Sequence, residues 1–285
     1  MTKRPNFIFI GPDKSGSTWI DNLLRRHPDV CMATAKELFF FDRFYHRGWS
    51  WYERQFAHCR RGAAVVGEVS HDYLFSAQAS ERIHAMLPEC RLMVCLREPV
   101  DRAFSSYLYM RRQGRTRQPF ESALDAHREL IDHGLYGKHL ETYLARFPRE
   151  QIHVALFDDL RESPQEFAVA LFGFLGIDSG AAPMEHDAVP ARAASRPRYF
   201  RVAWAAKQMA LTMRRVGMHQ VVDTLKRQPM LERALFTEFG EKDKPEIDRG
   251  TRQYLEDTFG PDLERVEELT GLSVRERWGY ATTQD

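Results

Sequence analysis

The sequence carries almost no excess of charge of either sign. Forty-one lysines and arginines face forty aspartates and glutamates, leaving a formal net charge of +1. No global field therefore recruits nucleic acid or an anionic membrane, and any anion specificity has to be local. A long apolar run is missing from the N-terminus. Met1–Asn6 is short and polar, and the apolar stretch after it, Phe7–Ile10, falls far below the length of a signal peptide or membrane span. This predicts a cytoplasmic protein with no transmembrane segment. Cysteine is scarce: Cys31, Cys59, Cys90 and Cys95 show neither CxxC spacing nor a histidine-rich neighbourhood. That argues against a zinc site and predicts free thiols. Internal repeats and low-complexity tracts are absent too.

What is present is the composition of a globular enzyme-sized chain. With 285 residues, 43% hydrophobic and 28% charged, it can bury a substantial core and reads as one α/β domain over 1–285. Phe7–Ile10, Ala64–Val69, Arg91–Leu96 and Ile152–Phe157 are short apolar runs of the kind that form buried strands. Amphipathic stretches lie between them. The alternation predicts a P-loop-like three-layer α/β/α fold with a central parallel sheet, a core over 5–180 and a helical C-terminal part. Ile20, Leu23 and Leu24 have helical spacing. Ser163-Pro164-Gln165-Glu166 reads as a capping box with proline at the first helical position, and Gly176 closes that helix. A lid loop is expected over Gly180–Tyr199. Helices are expected over Trp204–Arg214, His219–Lys226 and Asp248–Leu269, the last with Tyr254, Leu255, Phe259, Leu263 and Val266 on its apolar side.

The most informative segment runs from Phe7 to Ile20 as a strand, a glycine-bearing turn and a helix. Such a turn makes an anion site, because free N–H groups and the positive end of the helix dipole face outward. Gly16 permits close approach, Ser17 and Thr18 add hydroxyls, and Lys14 adds a charge. GxxxxGK[ST] needs lysine directly after the second glycine, and here Ser17 stands in that place. The lysine has moved into the turn. A second anion site is suggested by Arg97, which follows the strand Arg91–Leu96 and lies where open α/β sheets bind ligands. Ser105, in the early turns of a helix begun by Pro99, could share one phosphate with it. Two phosphate sites without a Walker lysine point to a nucleotide phosphorylated at two positions.

These residues resemble the sulfotransferases that use 3'-phosphoadenosine-5'-phosphosulfate (PAPS). Gly11-Pro12-Asp13-Lys14-Ser15-Gly16-Ser17-Thr18 is similar to that family's 5'-phosphosulfate loop, and Arg97-Glu98-Pro99-Val100-Asp101-Arg102-Ala103-Phe104-Ser105 to its 3'-phosphate motif. The likeness is greatest to the branch of the heparan sulfate 3-O-sulfotransferases and N-sulfotransferases. His27–Val30, Lys36–Asp42, Glu68–Tyr73, Gly137–Leu140 and Phe147–Gln151 extend it over about residues 5–180. Lys242–Asp248 is similar to the family's basic loop.

The resemblance implies PAPS as donor, with the bisphosphate PAP as product. It assigns Lys14 to the 5'-phosphosulfate bridge, and Ser15, Gly16, Ser17 and Thr18 to the 5'-phosphate. Arg97 with Ser105 falls on the 3'-phosphate, and Lys242 and Lys244 fall on the donor from the basic loop. Glu37 matches the branch's catalytic carboxylate, a general base for the acceptor proton. No metal is called for, since positioning and cationic stabilisation supply the rate. The acceptor is expected to be a carbohydrate, a glycolipid or another small metabolite. Val69 and Phe39 depart from the heparan pattern, which has lysine and histidine there. That weakens the case for a glycosaminoglycan acceptor. His71 and Asp72 could act as an alternative base or hold the acceptor. Arg111, Arg112, Arg115 and Arg117, and also Trp49, Trp51 and Tyr52, could contact the acceptor or serve only the fold. Competing readings are a P-loop kinase using Asp158 or Asp159 for its metal, and a non-catalytic nucleotide-binding protein.

Overall fold

The computed structural model of the chain describes residues 4–181, 195–218, 221–222, 225, 236–238 and 245–280. In chain order the elements are β1 (Phe7–Gly11), α1 (Ser17–Arg26), β2 (Val30–Met32), α2 (Trp49–Arg54), β3 (Val65–Val69), α3 (Ala77–Met86), β4 (Arg91–Leu96), α4 (Pro99–Arg112), α5 (Phe120–Ala126), α6 (Glu129–Asp132), α7 (Tyr136–Leu144), β5 (Ile152–Leu156), α8 (Phe157–Glu162), α9 (Pro164–Leu175), β6 (Ser195–Pro197), α10 (Phe200–Arg215), β7 (Phe236–Glu238), α11 (Arg249–Thr270) and α12 (Val274–Trp278). Described residues of Met1–Arg97, Tyr136–Pro190 and Glu268–Leu272 form one compact unit, and those of Glu98–Leu135, Ala191–Glu267 and Ser273–Asp285 form a second.

The first unit is built on a five-stranded sheet in the order β2-β3-β1-β4-β5. Every pairing is parallel, with Phe7 opposite Gly67 on one side and Arg91 on the other. Strand side chains alternate between faces. Phe7, Phe9, Met93 and Cys95 pack with Ile20, Leu23 and Leu24 of α1 and with Leu160, Phe167, Leu171 and Phe172 of α8 and α9. Ile8, Leu92 and Val94 turn to the opposite face and are equally buried. A sheet buried on both faces needs apolar residues at every position, which is why these strands read as continuous runs and not as alternating ones. The expected parallel α/β fold is found, with the four predicted strands in place to within a residue or so at each end. Strand β2 was not predicted. At three residues it is too short to leave a periodic signal.

In the second unit α4, α5, α6 and α11 share a core of Val100, Ala103, Tyr107, Met110, Phe120, Leu130, Leu255 and Phe259. Pro99 opens α4 as expected, capped by the Glu98 carboxylate, which accepts from the N–H groups of Val100 and Asp101 at 2.9 and 2.7 Å. Tyr254 stands 54% exposed, so the apolar face of α11 is carried by Leu255, Phe259, Leu263 and Val266 without it. It lies one step, about 100°, off that stripe.

Two further expectations are corrected. Cys31 and Cys59 form a disulfide with His58 Nε2 3.5 Å from Cys31 Sγ, while Cys90 and Cys95 are free and buried. Pairing follows from the turn of the chain after α2 back to β2, which spacing alone does not reveal. Ser163 is the N-cap of α9, but its side chain makes no capping bond. It also ends α8, donating its N–H to the Asp159 carbonyl at 2.8 Å. Phe40 to Trp51 winds into a π turn, a 3-10 turn and the start of α2. Lys242, Lys244, most of the expected lid and most of His219–Lys226 lie outside the described residues. Among the described residues no helix is long and apolar enough to cross a membrane.

Candidate active site

The loop from β1 to α1 begins with a cis Gly11–Pro12 peptide and contains two left-handed residues, Lys14 (φ 65°) and Gly16 (φ 82°). Gly16 is the N-cap of α1 and offers no side-chain cap, and α1 has no acidic residue in its first turn. Its N–H groups and dipole are thus not neutralised by the helix itself, the condition an anion needs. A Cβ on Gly16 would come within 2.4 Å of Leu160 Cδ2 and 3.3 Å of Phe157. Glycine here is required by the packing of α8. A Cβ on Gly11 would meet the His71 carbonyl oxygen at 2.3 Å, so this glycine lets the segment after β3 close over the loop. Ser15 is buried, and its hydroxyl reaches the Asp13 carbonyl at 3.4 Å. Ser17 and Thr18 both accept from Lys36, at 3.1 and 2.9 Å.

Arg97, at the end of β4, donates to the Lys14 carbonyl at 3.1 Å and lies over the Phe157 ring. Its own carbonyl accepts from the Tyr136 hydroxyl at 2.8 Å. Two of the expected donor-site cations, Lys14 and Arg97, are therefore brought together at the carboxyl ends of adjacent strands. Ser105 lies in the second unit, half-buried on α4. Asp158 and Asp159 open α8 after the edge strand β5.

Glu37 lies in the segment following β2. Its N–H donates to the Val69 carbonyl at 2.8 Å, and its φ is 63°. Lys14, Glu37 and Phe39 are the three non-glycine residues with positive φ among the described residues. Such conformations persist where surroundings impose them, and all three cluster at this site. Glu37 Oε1 stands 3.8 Å from His71 Nδ1, longer than a hydrogen bond, and His71 Nε2 stands 3.4 Å from Asp72 Oδ1. Arg43 pairs with Asp72 and Asp42 and caps the Phe39 ring at 4.2 Å, while Phe39 meets His71 edge-on. Burial pushes the Asp42 carboxyl up to about 6, against the pull of Arg43. The site thus holds three carboxylates, Glu37, Asp42 and Asp72, and an imidazole beside the β1–α1 loop, a set able to accept a proton.

Beneath it is Glu68, fully buried in β3. It accepts from Tyr52 at 2.8 Å, Ser70 at 2.6 Å and Tyr73 at 3.2 Å. The same Ser70 and Tyr73 oxygens accept the N–H groups of Phe39 (3.2 Å) and Phe40 (2.7 Å). Burial raises the Glu68 carboxyl to about 7, against those hydroxyl donors. The sequence reading assigned no role to Lys36 or to the Glu68 brace. A charged residue inside the apolar run Val65-Val66-Gly67-Glu68-Val69 was the available signal for the brace. Tyr52 is buried in it, stacked on Phe40, so it serves the fold. Arg112 and Arg117 cover the rings of Phe236 and Phe200, and Arg115 pairs with Glu129.

The sulfotransferase domain model matches residues 4–266 of the chain. Mouse heparan sulfate glucosamine 3-O-sulfotransferase 3B1 is 34% identical over 182 residues, covering 61% of this chain and 46% of that protein. The membrane-associated sulfotransferase kil1 of Dictyostelium discoideum is 33% identical over 105 residues, 36% of this chain and 22% of that one. The chain thus spans about half the length of the heparan enzymes it matches, and less of kil1. Among solved structures, a sulfotransferase from Alicyclobacillus acidocaldarius superposes with a TM-score of 0.71 over 97% of this chain and 99% of its own, at 24% identity. Mouse sulfotransferase SULT7A1 complexed with PAP superposes at 0.52 over 97% and 90%, at 13% identity. With the sulfotransferase domain matching residues 4–266, nearly its whole length, the chain belongs to the sulfotransferase family.

Proposed function

We propose that the protein transfers a sulfuryl group from PAPS to a hydroxyl or amine of a carbohydrate, a glycolipid or another metabolite. The observation that carries this reading is the β1–α1 loop. An uncapped helix N-terminus free of acidic residues follows Lys14, whose carbonyl accepts from Arg97, and carries the Ser17 and Thr18 hydroxyls in its first turn, with Glu37 on a neighbouring strained segment. That set fits a 5'-phosphosulfate. The donor supplies an activated sulfuryl group on a bisphosphate leaving group. Lys14 and the helix N–H groups neutralise the charge of that group, and Glu37 takes the acceptor proton as its oxygen or nitrogen becomes nucleophilic. His71, 3.8 Å from Glu37, is the second candidate base. Arg97 and Ser105 are assigned to the 3'-phosphate on their sequence motif.

Calorimetric titration with PAP, with adenosine 5'-monophosphate and with ATP plus magnesium tests this. Preference for PAP that is lost in Arg97→Ala supports the reading. Preference for ATP with magnesium, or indifference to the 3'-phosphate, overturns it in favour of a kinase-like nucleotide site.

A further inference from the structure

We infer that Lys36 is a second cation of the donor site, binding the 5'-phosphosulfate end of the nucleotide together with Lys14; this rests on the sulfotransferase reading above. Its Nζ lies 2.9 Å from Thr18 Oγ1 and 3.1 Å from Ser17 Oγ. An ammonium group can only donate, so both hydroxyl oxygens accept from it and both hydroxyl protons are left to point at some other acceptor. Those hydroxyls sit on the first turn of α1, after an N-cap that contributes no side chain and with no carboxylate in the turn. Ammonium, hydroxyl protons and helix N–H groups are thereby offered to one place, and the ligand chemistry that satisfies all of them is an oxyanion.

Chain connectivity adds a second argument. Lys36 is bonded to Glu37, whose left-handed backbone is held by the Val69 carbonyl and whose carboxylate faces His71. One dipeptide therefore ties the phosphate loop to the candidate base. Charge on Lys36 would stabilise the leaving phosphate oxygen as the sulfur–oxygen bond breaks and that oxygen keeps the electron pair, while the acceptor proton goes to Glu37.

A purely structural tie would behave differently. Glutamine at position 36 can still donate to the Ser17 and Thr18 hydroxyls but carries no charge. Calorimetry on the wild type, Lys36→Gln and Lys36→Ala, with PAP and with adenosine 3'-monophosphate, separates the two. Both variants are expected to lose about tenfold or more in affinity for PAP, the scale of one charge-assisted hydrogen bond, with no change for the 3'-monophosphate. Unchanged PAP affinity in Lys36→Gln, or an equal loss for both nucleotides, overturns the inference. Should Lys36→Ala not fold, Lys36→Gln alone decides. A wild type that does not discriminate the two nucleotides overturns the sulfotransferase reading itself, and the role of Lys36 with it.

Discussion

The Ser70 hydroxyl stands 2.6 Å from Glu68 Oε2 and at the same time accepts the N–H of Phe39 at 3.2 Å. A fully buried carboxylate in the sheet thereby fixes the backbone two residues beyond Glu37. Tyr73 repeats the arrangement for Phe40. Buried polar networks of this kind rigidify what they hold, provided every member is satisfied.

Glu68 makes stability depend on pH. Its carboxyl is raised in the folded state from 4.5 to about 7, so the folded protein binds this proton more tightly than the unfolded chain does. The resulting stability is fully present below pH 4.5 and is lost as pH rises through about 7. Glu68→Gln removes the titration, and urea unfolding midpoints between pH 4.5 and 8 should then show a shallower decline than the wild type. Parallel profiles would mean that Glu68 does not titrate in this window.

Glu37→Gln should leave PAP binding intact and lower turnover by about a hundredfold or more, as expected for a lost general base. Release of PAP in the presence of a panel of sugars, phenols and amines measures it. Full activity in this variant would move the base elsewhere, and a large loss in His71→Gln would then place it on the imidazole.

Gly16→Ala should destabilise the protein by at least about 2 kcal/mol. Its φ of 82° is unfavourable for alanine, and the new methyl would collide with Leu160. A denaturant midpoint equal to that of the wild type would show that α8 can move aside.

The Cys31–Cys59 bridge closes a loop with a sequence separation of 28 that contains Lys36, Glu37 and Phe39. Replacing both cysteines by serine should cost about 3.6 kcal/mol, on the loop-entropy scale for this length. Melting with and without dithiothreitol is the check. Insensitivity to the reductant in the wild type would show that the bridge does not form in solution.

Local patterns were enough to show the parallel strands and the glycine-bearing turn with its displaced lysine. A strand buried on both faces has to be continuously apolar, and a loop that offers N–H groups to an anion has to place glycine and small hydroxyl residues at fixed positions after a strand. The same holds for Pro99 at the start of α4. Other features depend on residues far apart in sequence that meet only when the sheet forms. Lys36 reaches Ser17 and Thr18 because β2 returns beside β3. Glu37 meets His71 because Val69 anchors its backbone, and Glu68 acquires its role because Tyr52 reaches it from α2 while Phe39 and Phe40 are brought to the Ser70 and Tyr73 hydroxyls that follow it on the same segment. Cys31 finds Cys59 by the same closure. Strand order and turn direction set these encounters, and they arise from packing of the whole unit, which no local period encodes.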